Sequence, residues 1–313
     1  MGKVGSTALV EGIRAGGRRA IQSHFLGEAA LERVLKQVTR PYVPDRMYES
    51  NLKQLNANIA ATRLINRCLE GSHERLQVVT LGRDPSTWYP SELIQNLESR
   101  APTIAAWGRA RLRERCSLPS AVSCLATDME ALLTSTEWPF GDVRLHDEVG
   151  VLASTYLGTD DPSLLRVLVR ETRIFLRPFA WFETFFRPVL GVDVLDEPMP
   201  EHGFRQVATD RFDVLVVRYE DLGDATDALG EFLGIRDFDL PKTNVSAKKP
   251  HASEVRRALA PLASPAVRAR FTGSCYAERF GYAGSAAGRP SPGANRESAS
   301  YSDTVGFGIG AGS

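Results

Sequence analysis

Two short runs, 76–81 (LQVVTL) and 212–218 (FDVLVVR), limit the fold of this chain more than any other feature. Both are nearly continuous in apolar residues, and each stops at a turn signal, GRDP at 82–85 and YED at 219–221. A strand with one wet face alternates apolar and polar residues. A run without alternation needs cover on both faces, which helices on either side of a parallel sheet supply. The 76–81 run is therefore expected to be a central parallel strand. Segments 20–26 (AIQSHFL) and 204–209 read as two further strands.

Helix-compatible segments separate these runs. They are 8–19, 27–37, 48–69 (with Leu52, Leu55, Ile59, Leu64 and Ile65 near helical spacing), 90–99 and 224–233, the last capped by Asp224 or Thr226. Pro41 and Pro44 mark 39–46 as a linker. From 101 to 186 only helices and loops are expected, with Phe175, Phe179, Trp181, Phe182, Phe185 and Phe186 most simply core. One or two helices follow in 252–282. Strands alternating with helices predict an α/β protein with a mostly parallel sheet, whose ligands gather at the carboxyl ends of the strands.

Charge decides what such a protein attracts. Lys plus Arg and Asp plus Glu both number 38, so no global field draws it to nucleic acid or an anionic membrane. Any anion must be held by a local cluster. No apolar run has the length of a membrane span, and no leader precedes the first motif, which suits a cytoplasmic protein. The four cysteines (Cys68, Cys116, Cys124, Cys275) show no metal spacing and read as reduced, buried thiols. Beyond Gly284 the chain is rich in Gly, Ser, Ala and Pro with few large apolar residues, and 283–313 is expected to be a disordered tail.

Two places have the chemistry to hold an anion. At 2–9 (GKVGSTAL) a lysine, a glycine turn and two hydroxyl residues open onto a helix, so the amides of Ser6, Thr7 and Ala8 would face a phosphate with Lys3 as a movable charge. The lysine precedes the glycine, unlike the nucleotide loop G-x-x-x-x-G-K-[ST]. An ordinary helix start with Ser6 as cap is the plain alternative. Such a loop hangs from a buried strand, and the strand is expected upstream of Met1. The second place is Arg83 with Ser91, eight residues on at the presumed start of the next helix, where a guanidinium fork and a hydroxyl could grip a phosphate. Otherwise Arg83 pairs with Asp84 or another acid, and Ser91 caps.

Weaker candidates surround these. His24 closes the presumed strand 20–26 and could accept a proton near neutral pH, although a lone histidine is more often structural. Lys248 and Lys249 could close over an anion or be plain solvated surface. Glu220 and Asp221 could bind a cation or orient basic residues, or simply cap backbone amides.

Together GKVGSTAL (2–9), SHFL (23–26), VVTLGRDPSTWYPSELIQNL (78–97), WFETFFRPVLGVDV (181–194) and VLVVRYEDL (214–222) resemble the PAPS-dependent sulfotransferases, most of all the bacterial sulfotransferase-like proteins of capsular polysaccharide synthesis. The resemblance covers about 1–282, apart from much of 100–175. It implies a P-loop-like three-layer α/β domain over 1–282, with a helical insertion at about 100–186 on the acceptor side. It further implies PAPS as co-substrate, no metal, and a glycan or other hydroxyl acceptor. On it, Lys3, Val4, Gly5, Ser6, Thr7 and Ala8 look like the 5′-phosphosulfate loop, and Arg83 with Ser91 like the 3′-phosphate pair. Lys248 and Lys249 would also face the donor, Lys3 would be catalytic, and His24 would be the base. Gly2 where many members have proline, and Thr87-Trp88 where an arginine often follows, depart from the pattern. Two other classes stay open: a non-catalytic sulfotransferase-like binding or assembly protein, and a phosphotransferase on the same scaffold.

Overall fold

A computed structural model describes residues 6–24, 26–28, 31–32, 35, 45–71, 75–114, 116–158, 161–241, 249 and 251–283. Among the described residues the fold is mixed α/β, mostly helical, around a small open sheet of three strands. The strands are β1 (Leu76–Gly82), β2 (Phe204–Ala208) and β3 (Phe212–Arg218) in the order β1-β3-β2.

β3 is the central strand. It runs parallel to β1 from Leu76 opposite Phe212 to Gly82 opposite Arg218, and antiparallel to β2 from Phe204 opposite Val217 to Ala208 opposite Asp213. Val214, Leu215, Val216 and Val217 are wholly buried, which accounts for their unbroken apolar run. Thr209 closes the β2–β3 hairpin, its hydroxyl accepting from the amides of Arg211 and Phe212 at 3.3 and 2.9 Å. Two expectations are corrected. Among the described residues β1 lies at an edge and only its carboxyl half is buried, and one of the two strand pairings is antiparallel.

The first described helix, α1 (Ser6–Ala15), packs on the chain around 235–239. Gly12 makes that approach possible, since a Cβ there would lie 2.5 Å from the Asp239 carbonyl oxygen. The expected strand at 20–26 is absent among the residues described there: 20–24 and Leu26 have no regular structure. Its polar groups have tertiary partners instead of a ladder. Gln22 donates to Ser6 Oγ (2.6 Å), Ser23 to Asn58 Oδ1 (2.5 Å), and the His24 carbonyl accepts from the Trp181 indole (3.2 Å). Helix α2 (Asp45–Leu69) occupies the segment read from helical spacing.

Helix α3 (Pro85–Gln95) starts five residues earlier than expected. Asp84 caps it, accepting from the Ser86 amide at 2.8 Å, and Pro85 takes the first position, where no amide is needed. Then follow α4 (Leu97–Leu112), α5 (Leu118–Thr134), α6 (Val143–Leu157) and α7 (Pro162–Trp181), which continues through a π-helical turn (Phe182–Phe186) into α8 (Arg187–Leu190). Ser117, Asp142 and Asp161 cap α5, α6 and α7. This helical block is closed by a buried ion cluster: Glu171 accepts from Arg100 (2.9 Å), Arg170 (2.8 Å) and the Tyr89 hydroxyl (3.1 Å), and Glu92 also pairs with Arg100 (2.5 Å). The expected aromatics are core, Phe185 only in part.

After β3 come a short 3-10 turn (Tyr219–Asp221), α9 (Thr226–Leu233), α10 (Ala252–Ala258), α11 (Pro265–Thr272) and α12 (Cys275–Arg279). Neither Asp224 nor Thr226 caps α9; the Thr226 hydroxyl donates to the Gly223 carbonyl at 2.7 Å instead. Cys68 is buried as expected, but Cys275 is exposed and Cys116 and Cys124 are partly so. Among the described residues no helix is long and apolar enough to cross a membrane. Most of the tail, 284–313, lies outside the described residues.

Chain directions set what meets at each end of the sheet. Cys68, near the end of α2, donates to the Arg211 carbonyl, which the Leu76 amide also uses, so α2 ends where β1 and β3 begin. Arg18, just past α1, donates to Gln77 near the start of β1 at 2.8 Å. Both helices therefore end near the amino ends of the strands.

Candidate functional site

Arg83 follows the last residue of β1, and its backbone is fixed before its side chain is considered. The Tyr276 hydroxyl accepts from the Arg83 amide (2.8 Å) and donates to the Arg83 carbonyl (2.9 Å). Glu220, at the exit of β3, fixes the next residue, accepting from the Asp84 amide (3.0 Å) and the Tyr282 hydroxyl (2.8 Å). Arg218 is tied to Asp221 and to the Phe280 and Glu201 carbonyls. The acidic turn is thus a backbone lock and an anchor for an arginine.

On this mount the Arg83 side chain runs along one face of α3. Residues 87, 91 and 95 succeed one another at four-residue spacing and share that face. Arg83 Nε donates to the Thr87 hydroxyl (3.1 Å) and Nη2 to the Ser91 hydroxyl (2.9 Å). Lys249 Nζ donates to the Gln95 carbonyl at 3.0 Å, which brings an ammonium group to the far end of the same row. The Tyr219 ring lies 4.3 Å from the guanidinium carbon. So Arg83 and Ser91 do meet, with Ser91 inside α3 rather than at its start. Thr87 and Tyr219 complete the setting.

The electrostatics favour an anionic guest. Arg83 is only 8% exposed, and burial lowers its pKa; Tyr219 and Glu220 oppose the shift and Arg256 adds to it. A guanidinium stays protonated regardless, and its planar fork can bond two phosphate oxygens at once. Burial likewise pushes the Glu220 carboxyl up, and pushes the Tyr276 and Tyr282 phenols well up.

The other anion position lies at the N-terminal end of α1. Ser6 opens the helix, with Thr7 and Ala8 in its first turn, and the first amides of any helix have no carbonyl partner within it. Lys3, Val4, Gly5 and Lys248 lie outside the described residues. His24 sits in the irregular segment beside α1, its backbone held by Trp181 and its neighbour Ser23 held by Asn58. The structure therefore brings Arg83, Ser91 and Lys249 together on α3, and Ser6 and His24 to a second locality joined through Gln22 and Ser23.

Tyr276 and Asn58 were not singled out from sequence. Tyr276 lies 193 residues from Arg83, and no local pattern announces such a contact. Thr87, four residues from Arg83 and four from Ser91, could have been found from helical spacing. A small cleft opens beside the α3 cap, with Asp84, Ser86, Phe175, Phe271 and Tyr282 among its walls, and includes neither Arg83 nor Ser91. Among the described residues no three His, Cys, Asp or Glu side chains are grouped to hold a metal. No family model, curated protein or solved structure matches the chain.

Proposed function

We propose that the chain is a sulfotransferase that draws on PAPS and modifies a hydroxyl of a glycan or a similar acceptor. The architecture we assign is the P-loop-like three-layer sandwich, with 1–282 as one domain and the helices of about 100–186 on the acceptor side. The observation that carries this reading is the bond from Arg83 Nη2 to Ser91 Oγ, 2.9 Å long, just past the carboxyl end of β1. With the N-terminal end of α1 as a second anion position, it would suit a donor with two separated anionic groups.

Arg83, Ser91 and Thr87 would hold the 3′-phosphate, and Lys249 with Lys248 would flank it. Ser6, Thr7 and Ala8 with Val4 and Gly5 would hold the 5′-phosphate through backbone amides and hydroxyls. The bound donor supplies a sulfuryl group, whose bond to the phosphate oxygen breaks as the acceptor oxygen bonds to sulfur. Transfer of this kind depends mainly on positioning and on stabilising developing charge. Lys3 would meet the charge on the departing phosphate oxygen, and His24 would take the acceptor's proton.

Calorimetry with adenosine 3′,5′-bisphosphate and with ATP tests the reading. Binding of the bisphosphate in preference to ATP supports it. Preference for ATP with magnesium would make the chain a phosphotransferase. Bisphosphate binding without sulfate transfer to any acceptor would make it a binding protein. Lys3→Ala should lower turnover by about two to three orders of magnitude and leave the fold intact.

A further inference from the structure

The small cleft beside the α3 cap has no part in the proposed transfer, yet a nearly buried acid stands in its wall. Asp84 is 8% exposed. Both bonds to its carboxylate, from the Ser86 amide (2.8 Å) and the Ser86 hydroxyl (2.6 Å), end on Oδ1. Among the described residues nothing donates to Oδ2. That oxygen is not sealed from solvent, and the cleft that Asp84 lines is where it is reached. A carboxylate so far out of water is costly to leave half bonded, and a donor from outside would complete it.

The surroundings decide which donor fits. Phe175, Leu262, Val267 and Phe271 are buried side chains that make much of the cleft apolar. Glu220 adds a second acid behind the wall, accepting from the Asp84 amide (3.0 Å) and from the hydroxyl of Tyr282 (2.8 Å), itself a lining residue. The nearest cation in sequence, Arg83, commits its guanidinium to Thr87 and Ser91. Arg268 also lines the cleft, but it is exposed, so water and salt screen its charge. The positive end of α3 is already answered by Asp84 Oδ1. A positive charge on a hydrocarbon body satisfies the acid and the apolar walls together, and aromatic rings attract organic cations further.

We infer that this cleft binds a small organic ammonium ion, of about the size of butylammonium. An ammonium N–H donates to Asp84 Oδ2, and the alkyl chain packs on Phe175, Leu262, Val267 and Phe271. The site is separate from the row of Arg83, Thr87 and Ser91 and does not depend on the sulfotransfer reading.

The test titrates the full chain with n-butylamine at neutral pH, where an alkylamine is protonated as lysine is, and follows the protein by NMR. The control is n-butanol, which keeps the shape without the charge. The amine should bind about tenfold more tightly than the alcohol, or better, as expected for a hydrogen bond between charged groups. Asp84→Asn leaves a side chain equally able to cap α3 and should abolish that margin, so that amine and alcohol bind alike. Ala263→Phe enlarges an exposed lining residue without touching the acid and should weaken both ligands. It locates the site even where Asp84→Asn folds poorly.

An amine that binds no more tightly than the alcohol would overturn the inference. So would an undiminished margin in folded Asp84→Asn, or unchanged affinity for both ligands in Ala263→Phe. None of these outcomes concerns nucleotide binding, so the sulfotransfer reading stands or falls separately.

Discussion

Replacing Arg83 by methionine isolates the anion-binding chemistry from the fold. Residue 83 is held by its backbone, through the two Tyr276 contacts at 2.8 and 2.9 Å, and these survive the substitution. The variant loses the bonds to Thr87 and Ser91 and the cation placed over Tyr219. It also removes a charge that is costly to bury, burial being the main cause that lowers its pKa. We expect these to offset, leaving unfolding free energy within about 1 kcal/mol of wild type.

Binding should respond very differently. Hydrogen bonds to charged groups contribute about 1.5–3 kcal/mol each, so losing a two-toothed grip on phosphate should cost about 3–4 kcal/mol, or about two to three orders of magnitude in Kd. The assay is calorimetry with adenosine 3′,5′-bisphosphate and with adenosine 5′-phosphate, which lacks the group in question. Arg83→Met should lose affinity for the first and keep that for the second, abolishing the difference between them. Arg83→Lys, which retains the charge without the fork, should fall in between. Equal losses for both nucleotides, or none for either, would refute the reasoning.

Further expectations follow from the surrounding lock. Tyr276→Phe orphans the Arg83 amide and carbonyl and should destabilise the protein by about 2–4 kcal/mol in urea denaturation. Glu171→Ala removes one of the two carboxylates that hold the buried Arg100, together with the acceptor of the Tyr89 hydroxyl, and should cost about 3–5 kcal/mol by the same measurement. Burial raises the Glu220 pKa, so the folded state binds this proton more tightly than the unfolded chain. The penalty for its ionisation is then absent below the unfolded carboxylate range and grows as pH rises toward the folded pKa. The stability of Glu220→Gln relative to wild type should accordingly be more favourable at pH 7 than at pH 4, measured by urea unfolding at both.

Where local chemistry decides structure, the sequence was legible. β1 and β3 stood out because strands without polar alternation have few other uses, and α2 because its apolar residues keep helical spacing. The start of α3 was legible too: Asp84-Pro85 is a cap followed by proline at the first position, a stronger start signal than Pro90. Strand order was not, since β1 and β3 are equally apolar and only their pairing shows which is central. The segment 20–26 (AIQSHFL) resembles a short strand because apolar pairs flank its polar residues, yet Gln22 and Ser23 serve Ser6 and Asn58. Arg83 and Ser91 were visible as a pair, but Tyr276 and Tyr219 became their neighbours only through tertiary folding.

A crystal structure with adenosine 3′,5′-bisphosphate tests most directly whether one nucleotide spans both anion positions. The account predicts the 3′-phosphate within hydrogen-bonding distance of Arg83 and Ser91, and the 5′-phosphate at the amides of Ser6 and Thr7. A nucleotide that touches only one of these places, or lies elsewhere on the molecule, would contradict it.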